Sequence, residues 1–154
     1  MASIFKLTLR YPFEAILLLI LFAAFRVMPV DVASSIGGFI GRSLGPLLPT
    51  TRRAKRNLEL VYPEKSERER TGIMGDMWDN LGRTVAEFPH LGKLSRSEGS
   101  NVELVGAEQI LEMAAKRTPA ILVGAHMANW ELMSVYLSRA GLDLTSVARV
   151  MNNK

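Results

Sequence analysis

His126 and Glu131, a histidine and a carboxylate five residues apart, are the side chains of this 154-residue chain whose types and spacing can do chemistry together. They lie in the segment AILVGAHMANWELM, residues 120–133, where an apolar run ends in a glycine and an amphipathic pattern begins. On one continuous helix, five residues turn the chain by about 500°, so the two side chains would not share a face. If His126 instead sits in a loop ahead of the helix, the loop can fold back until Glu131 accepts the imidazole N–H. A histidine held in one tautomer by a carboxylate is a good general base near neutral pH. Such a base takes the proton of a hydroxyl as that oxygen attacks an activated acyl carbon, a contribution of about 100- to 10,000-fold in rate. The N-terminus of the helix behind it can stabilise negative charge developing on the acyl oxygen.

The elements that must position this pair follow from the flanking pattern. Residues 120–124 are short and apolar, preceded by the turn signals Thr118 and Pro119, and read as a buried strand. The next helix begins near Ala128 or Asn129, with Asn129 a candidate N-cap, and runs to Arg139. That puts His126 in the loop at the carboxyl end of a strand and Glu131 in the first helical turn, the place where open α/β sheets gather ligands. Residues 101–106 alternate and read as an earlier strand, 107–117 as a helix, and 145–150, after the Gly141 turn, as a third strand. This order predicts an α/β fold with right-handed crossovers.

Upstream, the eleven residues Ala15 to Phe25 carry no charge, and Glu14 and Arg26 flank them. Crossing a hydrocarbon core takes about 20 residues. The segment therefore reads as an uncleaved membrane anchor or an embedded interfacial helix, against the plainer alternative of a core helix. Pro29 and Asp31 break it. A second apolar stretch, Val32 to Leu48, repeats glycine every four residues at Gly37, Gly41 and Gly45, which lines one helix face and permits close approach, either against the first segment or as a merely loosened helix. Arg52, Arg53, Lys55 and Arg56 then place four cations in five residues with no acid between them. After an apolar segment such a cluster reads as a phospholipid-facing patch on the cytoplasmic side, or else as a solvated helix face. Ser66 and Glu69 form a capping box for a helix running to about Phe88, whose Ile73, Met74, Met77, Trp78, Leu81 and Val85 make an apolar face suited to a core. Pro89 closes it, and His90, with no acid at useful spacing, reads as structural.

Composition narrows the classes. Hydrophobic residues make up 48% and mean hydropathy is +0.13, with the surplus in the first fifty residues. The net charge of +4 and a pI near 9.7 suit an anionic membrane surface or an acidic partner. Nucleic acid is disfavoured, because no binding motif or aromatic interleaving accompanies the basic residues. The absence of cysteine rules out disulfides and cysteine nucleophiles, and with two histidines it argues against a conventional zinc site.

The string His126-Met-Ala-Asn129-Trp130-Glu131 resembles the H-x-x-x-x-(D/E) block of glycerolipid-type acyltransferases, and its Asn-Trp-Glu resembles the lauroyl/myristoyl acyltransferase family of bacterial lipid A biosynthesis. Arg53 to Pro63, Asn80-Leu-Gly82-Arg83, and Arg149 followed by Asn152-Asn153 resemble further blocks of that family in order, although Ala148, Val150 and Lys154 stand where an aromatic residue and prolines are common. The resemblance implies N-terminal membrane-associated helices (residues 1–49), a basic segment with an amphipathic helix (50–100), and the first strands and helices of a glycerolipid-acyltransferase-like sheet (101–154), incomplete at the C-terminus in a truncated member. It implies transfer of a fatty acyl group from an acyl carrier protein thioester to a hydroxyl of a lipid A precursor, at the cytoplasmic face of the inner membrane, without metal or organic cofactor. His126 is then the base and Glu131 its partner; Asn129, Arg149, Asn152 and Asn153 contact substrate, with Arg149 placed to pair with phosphate, unless it is a solvated strand end. Another glycolipid or phospholipid acceptor, or a non-catalytic membrane-associated fragment, are the alternatives.

Overall fold

The computed structural model describes residues 2–95, 105–125 and 127–145, with side chains from Pro12 onward. It forms two compact units, Met1–His90 and Leu91–Lys154. Every regular element among the described residues is helical. In the first unit these are α1 (Ala2–Val27), α2 (Val30–Leu44), a 3-10 turn at Gly45–Leu47, α3 (Thr51–Val61), α4 (Glu67–Glu87) and a second 3-10 turn at Phe88–His90. The second unit has α5 (Leu91–Leu94), α6 (Glu108–Ala115) and α7 (Glu131–Arg139).

The first unit is built around the crossing of α2 and α4. Gly37, Gly41 and Gly45 recur every four residues on α2 and its end, and Trp78, Gly82 and Ala86 recur every four on α4. Packing such ridges together brings backbones close only where side chains are minimal. A methyl group added at Gly37 would lie 2.5 Å from the Ala86 Cβ and 3.0 Å from the Gly82 carbonyl carbon, besides meeting the Gly82 carbonyl oxygen. Gly45 lies beneath the Trp78 ring, where an added methyl would come within 2.7 Å of Cε3. The glycine stripe thus packs against α4. The apolar face of α4 is correspondingly rotated from its sequence expectation: Trp78 and Ala86 are buried, whereas Met77 and Leu81 are 39% and 40% exposed. Polar contacts flank the crossing, with Arg83 Nε donating to Asp79 Oδ2 at 2.6 Å and the Ser34 hydroxyl to Glu87 Oε1 at 2.7 Å.

The helix boundaries have local causes. Ser66 and Glu69 form the expected capping box: the Ser66 hydroxyl accepts from the Glu69 amide at 3.3 Å, and the Ser66 amide donates to Glu69 Oε2 at 2.8 Å. The C-terminal end of α1 is held reciprocally by the turn after α4. His90 Nε2 donates to the Phe25 carbonyl at 2.9 Å, and Arg26 Nη1 donates to the Pro89 carbonyl at 3.1 Å. His90 is buried and structural, as its lack of an acid partner in sequence implies. Beside it, Phe25, Ala33 and Ala86 form a small core flanked by Leu21 and Met28.

Two sequence expectations are corrected. No strand or sheet occurs among the described residues, so the α/β reading does not hold. Residues 120–124 follow no regular element, and Ile121 and Val123 are each 92% exposed. A helix satisfies its backbone hydrogen bonds within itself, but a strand needs a neighbour. None of the described residues pairs with this run; the expected strands at 101–106 and 145–150 fall largely outside the described residues. Nor is any helix among the described residues long and apolar enough to cross a membrane. Although α1 has 26 residues, Lys6, Arg10, Glu14 and Arg26 interrupt its sequence and leave an uncharged apolar run far short of the span a bilayer requires.

Candidate active site

The loop and helix carrying the acid of the candidate pair lie in the second unit. After the apolar run, the Met127 amide donates to the Ala125 carbonyl at 2.9 Å. Ala128 follows with φ 47°, in the left-handed region that side-chain-bearing residues seldom adopt. Backbone held there by its surroundings is a recurrent feature of functional loops. The Leu132 amide then donates to the Asn129 carbonyl at 3.2 Å, and α7 begins at Glu131. Trp130 occupies the N-cap position and supplies no side-chain cap, so Asn129 lies one residue ahead of the cap expected for it.

Glu131 is the first residue of α7, as its place in the first turn requires, and a carboxylate there is favoured by the positive end of the helix. The side chain is half-buried, and the Trp130 indole Nε1 donates to its Oε1 at 3.0 Å. The indole thereby fixes one carboxylate oxygen. Sequence reasoning gave Trp130 no role of its own; its position next to the acid, with an N–H donor on a rigid ring, was the available signal. Asn129 is half-buried beside this pair. Further along α7, Leu137 is buried, and Arg139 Nη1 donates to the Gly92 carbonyl at 2.9 Å, tying the end of α7 to α5. At its start, the Met133 methyl lies 3.3 Å from where a Cβ on Gly124 would be, so the first turn of α7 packs on the end of the apolar run.

The structure brings together Asn129, Trp130 and Glu131. His126, Arg149, Asn152 and Asn153 lie outside the described residues. Among the described residues no group of three or more histidine, cysteine, aspartate or glutamate side chains gathers as a metal site would need.

The cationic segment lies on α3 of the first unit. Arg52, Arg53 and Arg56 are exposed, whereas Lys55 Nζ pairs with Glu67 Oε1 at 2.7 Å. That hydrogen bond, with the attraction between the charges, holds the Lys55 ammonium above and the Glu67 carboxyl below their ordinary ranges.

Comparison with known proteins places these residues in a context. Residues 2–154 match the family described as bacterial lipid A biosynthesis acyltransferase. A 90-residue segment is 33% identical to the lipid A biosynthesis lauroyltransferase of Escherichia coli (strain K12), covering 53% of this chain and 28% of that protein. No solved structure matches the chain.

Proposed function

Because the chain belongs to the bacterial lipid A biosynthesis acyltransferase family, we propose that it carries the base and its orienting acid for acyl transfer from an acyl carrier protein thioester to a hydroxyl of a lipid A precursor, at the cytoplasmic face of the inner membrane. The observation that carries the reading is Glu131: it opens α7 five residues after His126, with one carboxylate oxygen held by the Trp130 indole. In this reading the second carboxylate oxygen accepts the imidazole N–H of His126. The opposite ring nitrogen takes the acceptor hydroxyl proton as that oxygen attacks the thioester carbon. The tetrahedral intermediate collapses with cleavage of the carbon–sulfur bond. The carrier thiolate takes up the proton from the imidazolium, leaving an ester and a free thiol.

Asn129 beside the pair, with Arg149, Asn152 and Asn153, contacts the substrate polar groups, Arg149 pairing with phosphate. The net charge of +4 supports work near an anionic surface. The test supplies the purified chain with acyl carrier thioester and lipid A precursor and measures ester formation. His126→Ala lowers the rate by about 100- to 10,000-fold and Glu131→Gln lowers it less, with helix content unchanged in both. Absence of transfer by the parent chain would sink the catalytic reading in favour of a non-catalytic, membrane-associated role.

A further inference from the structure

The α3 helix has two unlike faces. At 100° per residue, Thr51, Ala54 and Leu58 fall together, and these three are its half-buried positions. The opposite side carries Arg52, Arg56, Leu60 and Arg53 within one 100° arc, with Glu59 at its edge next to Lys55 and Arg52. No ion pair joins Arg52, Arg53 or Arg56 to any described residue, and Leu60 is 72% exposed among them. Just before the helix, Leu47 is 79% exposed, and Leu44 and Leu48 are also exposed. An open cleft of about 410 Å³ joins the two features, lined by Leu47, Leu48 and Pro49 together with Arg52 and Lys55.

Folding does not account for this arrangement. Arg52 and Arg53 lie in the first turn of α3, which has no acidic residue, so their charge opposes the helix dipole. Arg52 and Arg56 are like charges four residues apart, which also weakens a helix. Leu47, Leu48 and Leu60, in water beside them, gain nothing from the fold. Both features are resolved by a partner that offers anions in a plane and an apolar layer beneath them. A soluble acidic protein supplies only the first; a bilayer containing anionic phospholipids supplies both.

Granting the membrane-surface setting proposed above, on which this assignment rests, we infer that the face made by Leu47, Leu48, Arg52, Arg53, Arg56 and Leu60 docks the chain on an anionic phospholipid bilayer. The arginines pair with lipid phosphates while the leucines enter the acyl boundary.

The test uses the full chain with vesicles of phosphatidylcholine alone or mixed with phosphatidylglycerol, following binding by co-sedimentation. Binding to the mixed vesicles exceeds that to phosphatidylcholine and falls with added salt. Replacing Arg52, Arg53 and Arg56 by glutamine weakens it by about 5-fold per arginine, roughly 100-fold together. Removing three exposed cations elsewhere, by Arg68→Gln, Lys93→Gln and Arg117→Gln, changes it by less than about 5-fold. Since the chain contains no cysteine, an environment-sensitive label on Leu47→Cys or Leu60→Cys reports a single position, and its emission shifts to the blue on the mixed vesicles. The assignment is overturned if the arginine variant binds vesicles like the parent, if the control set loses as much, if both leucine labels remain in water, or if the arginines affect only binding to a soluble acidic protein. His126→Ala retains vesicle binding, so loss of catalysis and loss of docking are separately readable.

Discussion

Substituting Gly82 by alanine tests whether the α2/α4 crossing depends on the absence of a side chain. The added methyl would lie 2.8 Å from the Gly37 carbonyl carbon and 3.1 Å from the Gly41 Cα, besides meeting the Gly37 carbonyl oxygen. Ordinary carbon contacts begin near ~3.5 Å, and the obstructing atoms are helix backbone, which cannot step aside by a rotamer change. The helices must separate, loosening the contact that buries Ala33 and Ala86. Overpacking of this kind costs about 1–3 kcal/mol, against a helix-propensity gain of about 1 kcal/mol for glycine to alanine. Gly72 lies on the same helix with nothing within 4 Å of its added methyl, so Gly72→Ala shows that gain alone. The two variants should differ by about 2 kcal/mol, with Gly82→Ala the less stable, and their melting temperatures by roughly 10 °C. Far-UV circular dichroism during thermal and urea unfolding measures both quantities. Equal melting temperatures, or a Gly82→Ala chain that melts higher, would refute the account of the crossing.

Two further outcomes follow from single hydrogen bonds. The Ser66 hydroxyl and backbone amide hold the Glu69 carboxyl below its ordinary range, and Lys55 does the same for Glu67. Their contribution to folding is therefore complete above the unfolded carboxylate range and is lost as pH falls through the lower folded values; Glu69→Gln should flatten this acid limb in pH-dependent urea unfolding, while a limb of unchanged slope would discount the capping carboxylate. In the proposed reaction, Trp130→Phe removes the donor to Glu131 Oε1, and because hydrogen bonds to charged groups are worth about 1.5–3 kcal/mol, kcat should fall by about 10-fold or more with helix content retained; an unchanged kcat would mean that the indole does not orient the acid.

The sequence disclosed most clearly those features whose causes are local. The capping box of α4, the break at Pro29 and the structural part played by His90 depend on residues adjacent in the chain or on the lack of an acid nearby. The glycine period on α2 was readable as a close-approach face, but its partner was not, because spacing defines a ridge without saying which ridge it meets. The choice of Gly82 and Ala86 as that partner explains why Met77 and Leu81 face outward: a crossing at the small residues turns the larger apolar ones aside. The strand expected at 120–124 depended on a distant neighbour, which no local pattern can guarantee. For the candidate site, the position of Glu131 at a helix start was readable from the change of pattern, whereas its bond to Trp130 required the geometry of the turn through Ala128.

The glycine crossing and the proposed lipid-facing surface meet at Gly45. Its Cα position leaves room for the Trp78 ring, and its carbonyl accepts from the Thr51 hydroxyl at 2.7 Å at the start of α3. The Lys55–Glu67 pair fastens α3 to the first residue of α4. These attachments engage Thr51 and Lys55, neither of which lies in the arc of Arg52, Arg53, Arg56 and Leu60. Exposed ion pairs add little stability individually, but two links one helical turn apart define which side of a helix turns inward. The close approach of α2 and α4 therefore bears on more than the core: by seating Trp78 on Gly45, it fixes the carbonyl from which α3 takes its orientation, and so keeps the arginine face outward.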